Sequence, residues 1–215
     1  IALLFVAQQC LRAWRQALLI QATHPELSYR DSLSILCIGF LFVNSLPVRL
    51  GEVVRPMLLK DRAGVPLGTG FGMVAVERVI DLCSTLIMVA AVLLWVPMDL
   101  EALPTWAQEV FSILRPTIPV AVAALIAVTA LLAYGGQSAV DRIWTWQPKS
   151  PTLAEGWAKL GQFIGDLAIS FTALRQPRRL AMVLVLTAVT WSTTGWLFVW
   201  AAHAFELQEW IGYGE

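Results

Sequence analysis

Charge is scarce in this chain. Asp, Glu, Lys and Arg make up 14% of its 215 residues, against about 25% in an ordinary soluble domain. Hydrophobic residues account for 58%, and the mean hydropathy is +0.68. That balance excludes a soluble globular enzyme and leaves an integral membrane protein. Net charge is lacking too: fifteen basic residues stand against fifteen acidic ones, so no nucleic-acid partner is implied. Cysteine is sparse and odd in number. Cys10, Cys37 and Cys83 lie apart in apolar surroundings, which excludes a disulfide framework or a cysteine metal site and makes them packing residues. Two lone histidines, His24 and His203, make neither a metal site nor a catalytic dyad, and no cofactor is expected. "GTGFG", residues 68 to 72, has no strand before it and no Gly-Lys-Ser/Thr after it, so it reads as small residues easing helix entry rather than a phosphate loop. The chain opens on "IALLFVAQ" without a Met and is read as a fragment beginning inside a helix; no signal peptide is judged from it.

What is present is long apolar runs. A spanning helix needs about 20 mostly apolar residues. Residues 116–134 and 181–204 reach that length without a charge, and residues 70–96 reach it with Glu77, Arg78 and Asp81 in their first half. Residues 1 to about 11 read as the tail of another span. The positive-inside rule then orients the connections. Segments 12–31, 60–69 and 135–180 hold eleven of the fifteen basic residues and belong inside. Segment 97–115 and the acidic tail after residue 204 belong outside.

Both flanks of residues 32–62 are therefore cytoplasmic, so this stretch must enter the membrane and return. Each limb is shorter than about 17 residues, the minimum for a span, and Pro47, Gly51 and Pro56 interrupt the helix. A re-entrant hairpin with its tip inside the bundle fits, because freed backbone at membrane depth is tolerated only where protein buries it or it lines a water-filled cavity. Two short tilted spans joined by an external turn are the alternative. Residues 152–176 place Leu153, Trp157, Leu160, Ile164, Leu167, Phe171 and Leu174 on one helical face, predicting an amphipathic helix on the inner leaflet. Its Gly161 and Gly165 are expected to serve ordinary helix packing. Trp14, Trp95, Trp106, Trp144 and Trp146 fall near span ends, as interfacial anchors do. The fold class is thus an all-α polytopic membrane bundle in one domain, with a re-entrant broken-helix hairpin and an amphipathic cytoplasmic helix.

Charge near the middle of a membrane helix costs about 2.5–3.5 kcal/mol per ionised group unless it finds partners or water. Glu77 and Asp81, four residues apart, face the same way, and Arg78 can reach Asp81 three residues on. Arg49 and Arg55 of the hairpin are the expected further partners. Such a cluster either pins the hairpin to the third span, or its arginines receive an anionic head group beside the broken helix. Ser192, Thr193 and Thr194 lie inside a span, where hydroxyls usually bond back to their own helix.

"NSLPVRLGEVVRPMLLKDRAGVPLGTGFGMVAVERVIDL", residues 44 to 82, resembles the signature of the lysylphosphatidylglycerol synthase transmembrane family, also called flippase-like domains. The matching positions are Asn44, Pro47, Arg49, Gly51, Glu52 and Arg55, then Gly64 and Val65, then Glu77, Arg78 and Asp81. "RQPRRLAMVLVLTAVTW", residues 175 to 191, is similar to the family's later basic loop and Trp-bearing helix. The family's second Pro/Gly-rich motif and its soluble aminoacyl-transfer domain have no counterpart in these residues. The resemblance implies a multi-pass protein of a bacterial or archaeal inner membrane that moves an anionic or polyprenyl-phosphate-linked lipid between leaflets. It also implies a substrate site at Asn44, Arg49, Glu52, Arg55, Glu77, Arg78 and Asp81. Two other functions stay open: a scaffold for a glycosyltransferase or lipid synthase, and an intramembrane lipid-modifying enzyme with Glu77 or Asp81 as base. The last needs a nucleophile or metal that the sequence does not offer.

Overall fold

A computed structural model describes residues 2–45, 51–95, 104–144 and 151–205. Among these residues the chain forms seven α-helices and no strand: α1 (Ala2–Ile20), α2 (Tyr29–Ser45), α3 (Gly51–Ala63), α4 (Leu67–Trp95), α5 (Thr105–Ile143), α6 (Pro151–Phe171) and α7 (Pro177–Ala204), with a short 3-10 turn at Thr172–Arg175 before α7. Pro47 and Arg49 of the hairpin, the loop at 96–103, Trp146 and the acidic tail from residue 206 lie outside the described residues, as does the side chain of Trp95.

Helices α2 and α3 pack against each other as a helical pair. They run antiparallel and close: a Cβ on Gly51 would fall on the carbonyl oxygen of Gly39 and on Val43, and at the other end Arg62 Nη1 donates to Ser34 Oγ at 3.1 Å. Pro56 does not interrupt the returning limb; it sits buried inside α3. Five residues from the helix start, a proline removes one ladder bond, and the surrounding packing absorbs the loss. Gly64, at φ +64°, turns the chain into α4.

Two expectations about element ends are corrected. The first helix does not stop near residue 11 but continues to Ile20, taking Arg12 and Arg15 out of the expected cytoplasmic loop. The reason is a polar face: Gln8, Gln9, Arg12, Arg15 and Gln16 recur at helical spacing and turn toward other helices. Helix α5 starts eleven residues earlier than the expected span, runs through Pro116 and Pro119, and extends past Gly135 and Gly136 to Ile143. Helix α6 does not lie free on a surface over its whole length. Its C-terminal half packs against α4, where Gly68 and Gly72 admit the backbone of Phe163 and Leu167, and Ser170 Oγ donates to Thr69 O at 2.9 Å. Gly161 accommodates the indole of Trp144, which stacks on Trp157 at 5.1 Å, so this glycine serves helix packing as expected. Toward the N-terminal end of α6, Leu153 stays 65% exposed.

Helices α5 and α7 are long and apolar enough to cross a membrane, and most of their large side chains face outward, as lipid-contacting surfaces do. Trp14 and Trp106 are exposed. Cys37 is exposed as well, while Cys10 and Cys83 are partly buried, and all three are free thiols. The buried apolar cluster gathers Leu19, Ile20, Leu27, Leu59, Val65, Met73, Val76, Phe171 and Val183. It therefore sits at one end of the bundle, with the C-terminus of α1 and the starts of α2, α4 and α7. Two arginines of the connections lie at that same end: Arg62 Nη1 donates to Ser34 Oγ, and Arg179 Nη1 donates to Leu18 O at 2.6 Å.

Candidate functional site

On the other side of the apolar cluster lies a layer of charge. At about 1.5 Å per residue along α4, Glu77 and Asp81 stand about 15 and 21 Å from its start. Both are held by arginines from other helices. Arg55 Nη1 of α3 lies 2.9 Å from Glu77 Oε2, with the two residues 8% and 2% exposed. Arg15 Nη1 of α1 lies 2.7 Å from Asp81 Oδ1 and 3.1 Å from Thr187 Oγ1 of α7. Arg78 approaches Asp81 at 3.4 Å and Glu52 at 3.9 Å.

Arg55 is fully committed. Besides Glu77, its Nε donates to Gln16 Oε1 at 3.1 Å, its Nη2 donates to the same oxygen, and Met73 Sδ lies 3.8 Å from Nη2. Gln16 is wholly buried and bonds in turn to Ser32 O at 3.4 Å, while Ser32 Oγ donates to Ala13 O at 2.8 Å. A planar guanidinium offers a rigid fork of donors, and here the fork is filled by one carboxylate and one amide. Gly39 makes this reach possible: a Cβ there would fall on Arg55 Cγ and lie 2.9 Å from Cδ.

Beside this layer lies a cavity of about 730 Å³. Its lining includes Gln9, Arg12 and Arg15 of α1, Gly39, Phe40 and Val43 of α2, Glu52 and Arg55 of α3, Glu77, Arg78, Asp81, Leu82 and Thr85 of α4, and Thr190, Trp191 and Thr194 of α7. Four arginines and three carboxylates line it, one more cation than acid. Arg12 makes no hydrogen bond or ion pair among the described residues, and the buried Nε of Arg15 and both amide atoms of buried Gln9 have no partner there.

Of the residues the sequence offered, Glu52, Arg55, Glu77, Arg78 and Asp81 line the cavity. Asn44 does not; its side-chain amide donates to Phe40 O on its own helix at 2.8 Å. Arg49 lies outside the described residues. Among the described residues, Asp81 takes its partners from Arg15 of α1 and from Arg78 on its own helix. Arg12, Arg15, Gln9 and Gln16 were missed because a loop count absorbed the arginines; their helical spacing was the signal available. The hydroxyls of α7 do bond back, Thr190 to Leu186 O and Thr194 to Thr190 O, yet Thr190 and Thr194 also face the cavity. No cluster of metal-ligating side chains occurs among the described residues.

Three comparisons bear on this architecture. A family model described as "Lysylphosphatidylglycerol synthase TM region" matches residues 1–210. "Glycosyltransferase AglD" of Haloferax volcanii is 33% identical over 88 residues, which is 39% of this chain and 13% of that protein. The chain thus spans only a small part of that curated relative's length. No solved structure matches.

Proposed function

Because the chain belongs to the lysylphosphatidylglycerol synthase TM region family, we propose that its cavity receives the anionic head group of a membrane lipid and passes it between leaflets. The observation that carries this reading is the cavity itself: a large chamber inside a helix bundle, lined by four arginines and three carboxylates among apolar side chains. Intramembrane ionisable residues mark substrate pathways. Within it Arg55, Glu77 and Gln16 are the floor. Arg12 and the half-exposed Arg78 hold the donors free to meet a phosphate.

Proteoliposomes containing acyl-labelled phosphatidylglycerol test this. The parent protein is expected to speed leaflet exchange measured by an impermeant quencher, and Arg12→Ala combined with Arg78→Ala to lower the rate at least about tenfold. Equal rates in parent and empty vesicles would overturn the reading. The glycosyltransferase name of the relative supports a second one, in which the chain presents a lipid to a glycosyltransferase partner; exchange only when such an enzyme is present would favour it.

The orientation proposed from the basic loops has its own test. In a background lacking the native thiols, Arg62→Cys is expected to react with an impermeant maleimide in inverted vesicles and not in intact cells. Labelling from outside would overturn both the orientation and the re-entrant hairpin.

A further inference from the structure

We propose that the cavity of the lipid-free protein holds one small monovalent inorganic anion on Arg12, and that an incoming head group displaces it one for one. The anion site stands on the cavity alone, whereas the displacement rests on reading the cavity as a lipid site.

Among the described residues, four arginines and three carboxylates line the chamber, and every carboxylate is already taken. Arg55 holds Glu77, Arg15 holds Asp81, and Arg78 is shared between Asp81 and Glu52. Arg12 is the cation left over. It is half-buried, lines the cavity and makes no hydrogen bond or ion pair among the described residues, so its donors are available to whatever the cavity holds. It stands within electrostatic range of Arg15 and Arg78 as well as of Asp81 and Glu77. An unpaired cation near two others inside a membrane bundle is costly, and an anion beside it offsets both the missing partner and the repulsion. Water hydrates the guanidinium but leaves the surplus charge in place.

Charge and walls narrow the class of anion. A surplus of one is cancelled by a monovalent anion and overshot by a divalent one. Arg78 approaches its two acids at only 3.4 and 3.9 Å, longer than the roughly 2.7–2.9 Å of a strong charge-assisted bond, so it too keeps donors for the chamber. Guanidinium groups are weakly hydrated, and Leu36, Phe40, Val43, Leu82 and Trp191 supply apolar wall. Such surroundings suit an anion that gives up its water readily. Chloride and bromide fit, and fluoride and sulfate do not. A lipid phosphodiester carries the same single charge and seeks the same donors, so holding both would reverse the sign of the chamber.

The test uses the chain purified in detergent with bulky gluconate as the only anion, and other anions added at constant ionic strength. Chloride is expected to show an excess NMR line width that saturates with a Kd on the order of 10 mM, that bromide removes, and that fluoride and sulfate leave. Chloride should also raise the melting temperature. Arg12→Gln should lose both responses yet melt in gluconate no lower than the parent, because it removes a cation without a partner. Arg12→Lys should keep them in weaker form, and Arg30→Gln, at the exposed start of α2, should leave them unchanged. Dioctanoyl phosphatidylglycerol should abolish the excess line width and bind about tenfold more weakly in about 100 mM chloride than in gluconate. No saturable line width, sulfate competing as well as bromide, or an Arg12→Gln variant that keeps the responses or fails to fold would overturn the anion site. Lipid that binds without releasing chloride would overturn the displacement. Chloride binding without leaflet exchange overturns translocation and leaves the anion site in place; exchange without chloride binding does the reverse.

Discussion

Glu77→Ala is expected to be the most damaging single change in the molecule, lowering stability by about 3–5 kcal/mol, the range for removing one partner of a buried ion pair. The cost arises because Arg55 stays behind, buried, with only Gln16 and a weak sulfur contact to satisfy a full positive charge. Removing both charges is a different experiment. Arg55→Met combined with Glu77→Leu replaces the pair by apolar groups, and such replacements are often neutral or stabilising. The double variant is therefore expected to melt well above Glu77→Ala in detergent, near the parent, while losing lipid exchange because the cavity floor is gone. A double variant that melts no higher than the single one would show that the pair is not where the stability resides. One that regains stability and also transports would reduce the pair to a pin between α3 and α4.

The second large effect is expected at the α2–α3 contact. Gly51→Ala drives a methyl into the carbonyl oxygen of Gly39 and the side chain of Val43, with the Val43 backbone nitrogen only 2.6 Å away. Backbone cannot step aside as the end of a side chain can, so the cost should reach or exceed the upper part of the ~1–3 kcal/mol typical of overpacking. Gly39→Ala meets the stem of Arg55 instead and should displace the guanidinium from Glu77 and Gln16. Its expected signature is a larger loss of exchange than of melting temperature. Gly135→Ala supplies the control: nothing lies within 4 Å of its added Cβ, so it should be neutral or stabilising by up to about 1 kcal/mol. Gly51→Ala melting with the parent would remove close helix approach as the basis of the hairpin.

Much of this arrangement was legible in the sequence for physical reasons that can be named. Apolar positions at helical spacing announced α6, six of the seven falling within it, and a glutamate near the middle of a long apolar helix required a buried cation, which Arg55 is. The motif around residues 44 to 82 placed five of the cavity's charged residues. Less legible was the contribution of α1. Charge counting weighs arginines by their nearness to helix ends and is blind to which way they face, so Arg12 and Arg15 were assigned to a loop. The glutamines beside them, at positions 8, 9 and 16, are uncharged and carried no weight in that count. The ends of α5 escaped for a related reason: the span was bounded as a charge-free apolar run, whereas the helix continues at both ends into segments that were counted as loops.

The partners of Arg15 lie far along the chain: Asp81 is 66 residues away and Thr187 is 172. At about 5–20 residues synthesised per second, roughly 3–13 s separate the emergence of Arg15 from that of Asp81, and roughly 9–34 s from that of Thr187. During biogenesis, α1 must therefore wait at the translocon or the membrane interface with two arginines and three glutamines exposed, and it can settle at depth only when α4 arrives. Settling of α1 is thus completed by α4 and locked by α7, so a ribosome that stalls before residue 81 leaves a nascent chain in which Arg15 still lacks its carboxylate.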